Sequence, residues 1–159
     1  MNRFLIAIVT VAALCGWILT SSTRATSPPD GTITQVVLPV EQLFGRGYPT
    51  SVLSGDLDAT FEATPHASGG WWVRGSFRPA GLAFTGEVDG NVSGTARGSS
   101  GFATGTSGTI LATKLNVSGG NGHLFVLCQL VVDPDGVVWV QQFYLDWLTT
   151  GGGGPCTDC

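Results

Sequence analysis

Beyond residue 25, apolar residues recur at every second position in runs broken by Gly, Pro, Asn and Asp, the pattern of half-buried β-strands. The clearest run is His123–Val132, where Leu124, Val126, Cys128, Leu130 and Val132 share one face. In Val52–Ala63, Leu57, Ala59, Phe61 and Ala63 oppose Asp56, Asp58, Thr60 and Glu62. Thr32–Val40, largely β-branched and apolar, predicts a first strand, with a loop over Phe44–Pro49. Trp71–Phe77 and Leu82–Val88 predict two short strands around a turn at Pro79-Ala80-Gly81. Asp89-Gly90 then signals a hairpin into Asn91-Val92, because a type I′ turn needs positive φ at both central residues. A competing reading keeps one long strand lined by Gly86, Gly90, Gly94 and Gly98.

The second half reads less evenly. Gly98–Gly108 is low in complexity and predicts a loop with little to bury except Phe102. Thr109–Val117 resumes the alternation, with Leu111, Thr113, Leu115 and Val117 expected on the buried face. Asp133-Pro134-Asp135-Gly136 predicts a hairpin connection into a last strand over Val137–Leu148. There Trp139, Phe143, Leu145 and Trp147 fit period two with Gln141 as an exception, while Val140, Phe143, Tyr144, Trp147 and Leu148 fit a helical stripe. The β-branched start and the preceding turn favour the strand.

Composition sharpens the fold class. With 24 Gly and 8 Pro in 159 residues, ordinary helices have little room, and the expectation is an all-β domain over residues 26–150. About eight antiparallel strands without βαβ units leave an up-and-down barrel, or alternatively a two-sheet β-sandwich. In strand count alone the barrel is similar to a calycin-like cup, whose interior holds side chains or one small ligand.

Residues 1–25 stand apart. Arg3 precedes an apolar run over Phe4–Leu19, followed by small polar residues and Thr23-Arg24-Ala25, the order of a secretory signal peptide with cleavage after Ala25. The alternative is an uncleaved N-terminal membrane anchor, for which the apolar run is short against the ~20 residues of a span. With the leader removed no membrane span is expected, and the protein is placed outside the cytoplasm. Seven Lys+Arg against 11 Asp+Glu argue against nucleic-acid partners, which need clustered cations. The mature chain is more acidic still, since Arg3 and Arg24 leave with the leader. In an oxidising compartment Cys128, Cys156 and Cys159 become disulfide candidates. Cys128 lies on an apolar strand face and reads most simply as a core thiol, while Cys156-Thr157-Asp158-Cys159 follows the Gly151–Gly154 tether and could cross-link molecules.

Candidate chemistry is sparse. His66 in a turn and His123 at a strand start have no partner spacing that suggests a metal or a nucleophile, and no cofactor or metal is expected. Asp56, Asp58 and Glu62 fit a solvated strand face, and Asp133 and Asp135 fit turn formation. Asn91 and Asn116 begin sequons, informative only where the host glycosylates. Trp71-Trp72 is the most suggestive feature, because neighbouring strand residues face opposite ways and one indole is left near the surface to stack on a ligand. Tyr48 and Trp139 are further candidates for such a site. The first expectation is therefore a secreted, non-enzymatic barrel binding a small apolar or sugar-like ligand. The second is a structural or adhesive surface protein with a filled core and cysteine cross-links, forming disulfide-linked oligomers. A secreted enzyme ranks last.

Overall fold

The computed structural model describes residues 24–26, 31–44, 50–67, 69–118 and 122–149. They form β1 (Arg24–Thr26), β2 (Thr32–Phe44), β3 (Ser51–Pro65), β4 (Trp71–Gly86), β5 (Gly90–Phe102), β6 (Ser107–Val117), β7 (Gly122–Val132) and β8 (Val138–Thr149). Each strand pairs antiparallel with the next in chain order. β1 is a three-residue addition to one edge of β2, and it straddles the expected cleavage position. The seven long strands curl into a nearly closed up-and-down barrel, so the barrel rather than the sandwich is the architecture.

Alternation builds the core. In β7, Leu124, Val126, Cys128, Leu130 and Val132 are all fully buried, and β3 turns Leu57, Ala59, Phe61 and Ala63 inward as their spacing predicts. The interior is filled by the protein's own side chains, with Leu38, Leu53, Phe61, Phe77, Phe84 and Ile110 among the largest. Both ends are closed by aromatic rings. At the end where β4 and β6 finish, Phe84 meets Phe44 edge-on at 5.3 Å and Trp147 at 5.4 Å. At the other, Phe61 meets Phe77 at 5.6 Å, and the Trp71 indole lies against Gly136 in the β7–β8 turn. Apolar-in and polar-out is the reverse of the pattern that a lipid-embedded barrel requires. Among the described residues no helix is long and apolar enough to cross a membrane.

Four local expectations are corrected. Pro79–Gly81 does not end a strand: β4 runs continuously through it, and an extra residue there shifts its register against β3 and β5. Gly98–Gly108 is mostly strand, since β5 pairs through Phe102 with Trp71 and only the turn at 103–106 separates it from β6. In β6, Ile110 and Ala112 are buried whereas Leu111 is exposed, because an extra residue near Lys114 flips the phase before Leu115 and Val117. In β8, Val138 faces in and Trp139 faces out, and the extra residue Gln141 flips the phase so that Leu145 faces in. Such β-bulges bend and twist strands, which a small barrel needs in order to curl. A hairpin does join β4 to β5, but by a longer turn than the expected type I′ pair: residues 87–89 make the connection, Gly90 already lies in β5 opposite Phe84, and neither Asp89 nor Gly90 has a positive φ.

Candidate functional site

Seven alternating strands impose a geometric condition: the first and last, β2 and β8, run in the same direction. Closure therefore demands one parallel contact in an otherwise antiparallel sheet, and β2 and β8 are not joined as ladder neighbours. Three features oppose such a ladder: β1 already occupies this edge of β2 over Ile33–Gln35, and two more act farther along. Pro39 has no N–H to give, so proline in a strand is tolerated only where its nitrogen faces away from the paired neighbour. As β2 is paired with β3 along its whole length, the edge with the missing donor is the one facing β8. On the opposite side stands the Gln141 bulge. The N–H groups of Val138 and Leu145 both point into the seam although the residues are seven apart, an odd separation that regular alternation forbids and one extra residue permits.

Side chains do what the backbones do not. Thr32 Oγ1 donates to Asp135 O at 3.0 Å, and Val138 N donates to Thr34 Oγ1 at 3.1 Å. At the far end the Gln42 amide imitates a peptide unit, its Nε2 donating to Leu145 O at 2.8 Å and its Oε1 accepting from Leu145 N at 3.4 Å. Thr34 is fully buried, so its hydroxyl is spent on this latch.

Between the two latches the wall opens into a pocket of about 470 Å³ lined by Pro39, Val40, Glu41, Gln42, Gln141, Gln142 and Phe143. Its lining pairs an aromatic ring and short apolar surface with three carboxamides, each able both to donate and to accept. Glu41 brings the one carboxylate among these lining residues. This volume falls within the range of small-molecule sites. The chemistry it offers is neutral hydrogen bonding over an apolar patch.

The sequence-predicted residues do not gather there. Trp71 is half-buried and caps one end of the barrel, while Trp72 leaves the opposite face of β4 and is 40 % exposed. Trp139 faces out from β8, its Nε1 donating to Asp133 Oδ2 at 3.3 Å. Tyr48, Cys156 and Cys159 lie outside the described residues, as do most of the leader and the tail over 151–159. Cys128 is a free, fully buried thiol, and burial pushes its pKa up to about 12. His66 sits in the β3–β4 turn and His123 begins β7, which places them at opposite ends of the barrel. His123 Nδ1 is buried without a hydrogen-bond partner, and no cluster of three His, Cys, Asp or Glu side chains suited to a metal occurs among the described residues. Asp56, Asp58 and Glu62 are solvent-exposed, and Asp133 accepts from Asp135 N and Val137 N within its own turn. What the residue pattern left unmarked is the seam. Its traces were Pro39 inside a strand and Gln141 breaking the alternation. No protein-family model, curated protein or solved structure matches the chain.

Proposed function

We propose that the protein is exported by its N-terminal leader and serves, without catalysis, to bind a small sugar-like ligand in the wall pocket between β2 and β8. The observation that carries this reading is the seam itself, an opening held at both ends by side-chain latches. Gln141 and Gln142 offer the mixed donors and acceptors that sugar hydroxyls need, Gln42 being engaged on Leu145, and Phe143 with Pro39 offers apolar surface to a ring face. The filled interior moves the expected site from a central cup to the wall and favours the sugar-like over the apolar ligand.

The test is a titration of the ¹⁵N-labelled protein with methyl glycosides of neutral hexoses into the millimolar range. Saturable shifts confined to Val40–Gln42 and Gln141–Phe143, abolished in Gln142→Ala, are expected; shifts scattered over the surface sink the idea. A structural or adhesive role is the second reading, supported by the exposed Val37, Leu43, Trp139 and Tyr144, all on the two seam strands. Concentration-dependent broadening at those four residues without any sugar response would favour it.

A further inference from the structure

A second surface, away from the seam, has the construction of a binding trough. Across the outward face of β2–β6 one row lies in register: Gln35 opposite Thr60, Thr60 opposite Ser76, Ser76 opposite Arg97, and Arg97 opposite Thr113. At ~4.8 Å per strand the row is roughly 19 Å long. The rows on either side carry longer, charged side chains, with Asp58 opposite Arg78 on one flank and Glu62 opposite Arg74 on the other. Thr60 and Ser76 are consequently half-buried between exposed walls. Two hollows of about 510 and 640 Å³ adjoin this row, one towards Glu62 and Arg74 and the other towards Asp58 and Arg78, and Thr60 and Ser76 line both.

Charge within it is uneven. Arg74 and Arg78 each face a carboxylate, whereas Arg97 has only the hydroxyls of Ser76 and Thr113 opposite. Three of the seven Lys and Arg residues of an acidic chain thus share this face, and one guanidinium has no carboxylate across from it. We propose that the trough binds an acidic saccharide chain, with Arg97 holding a uronate carboxylate through its two-pronged donor set. Thr60, Ser76 and Gln35 exchange hydrogen bonds with the sugar hydroxyls along the floor. Trp72, one outward step beyond Arg74 on β4, offers an exposed ring for stacking. A polyanion as densely charged as a nucleic acid fits poorly, because Asp58 and Glu62 stand in both walls. A saccharide with one carboxylate per ring meets the lone guanidinium and leaves the walls to hydroxyls.

The probe is trigalacturonic acid, titrated calorimetrically at low salt beside maltotriose as a neutral control. Saturable binding of the uronate that weakens as salt rises is expected, with Arg97→Gln weakening it about tenfold or more, the loss of a charged hydrogen bond. Ser76→Leu, which fills the floor, should also abolish it, and Gln142→Ala in the seam should leave it unchanged. No saturable uronate binding, equally tight binding of maltotriose by the Gln142→Ala protein, whose seam no longer takes neutral sugars, or an Arg97→Gln variant that binds as tightly as the parent would overturn the assignment. Because the seam variant is the control, failure here is separable from failure of the neutral-sugar site.

Discussion

Gly136 holds φ at +81°, and a Cβ placed there would lie 2.8 Å from the Trp71 ring and 2.9 Å from Thr32 Oγ1. Gly105 in the neighbouring β5–β6 turn has φ at +72° but open space around it. The two positions separate backbone strain from crowding. Gly105→Ala should cost about 1 kcal/mol, the penalty of a left-handed alanine alone, whereas Gly136→Ala should cost about 2–4 kcal/mol because the Trp71 cap must also move. Urea unfolding of the two variants checks this, and equal losses would mean that Trp71 yields freely. The tryptophan pair was legible as a feature, and its opposed faces follow from strand geometry. Which indole would become the cap was not legible, because that depends on a glycine some 65 residues away coming to rest beneath it.

At the level of strands, the readable and unreadable parts divide at the bulges. β3 and β7 show their buried faces directly in the sequence, since Leu57–Ala63 and Leu124–Val132 keep one phase throughout. β6 and β8 each contain one extra residue, and a period-two reading carried through Lys114 or Gln141 assigns half the strand to the wrong face. Lys114 has φ at +84°, which a lysine adopts only where the surrounding ladder compels it. The candidate site was hidden for the same reason, since it arises from the pairing of a proline edge with a bulge that lies about a hundred residues downstream. Its latch can be tested directly. Removing the Gln42 amide leaves Leu145 N–H and C=O without their partner, and Gln42→Ala should lower stability by about 1–3 kcal/mol. Hydrogen exchange at the Leu145 amide should quicken at least tenfold while amides in the middle of β7 stay protected. Uniform quickening across the sheet would instead show that the seam is no weaker than the rest of the wall.

For the molecule as a whole, the barrel class was readable because turn residues punctuate the chain regularly and no stretch has room for a crossover helix. The filling of its interior was not, since whether side chains from opposite walls meet depends on barrel radius rather than on any one strand. Cys128 reports on that filling. Its thiol is held neutral with a pKa near 12 in the folded barrel and reverts on unfolding to an ordinary value near 9. A raised folded pKa means that its contribution is fully present below pH 9 and is lost as pH climbs towards 12, because the unfolded chain releases a proton that the folded one keeps. Stability should fall by up to about 1.4 kcal/mol per pH unit in that window beyond the fall seen in Cys128→Ala. Matching pH profiles for the two proteins would show that the interior admits water to the sulfur.

The odd strand count has a mechanical corollary. Because β2 and β8 point the same way, β2 begins at one pole of the barrel and β8 ends at the other. A pull applied between Thr32 and Thr149 is therefore directed along the strands. It loads the hydrogen bonds of every ladder together, in shear, instead of peeling them apart one after another as a pull across a hairpin would. A barrel fastened at both poles would bear tension as a rivet does, and the first place to slip would be the seam, where a glutamine and two threonines stand in for a row of peptide bonds.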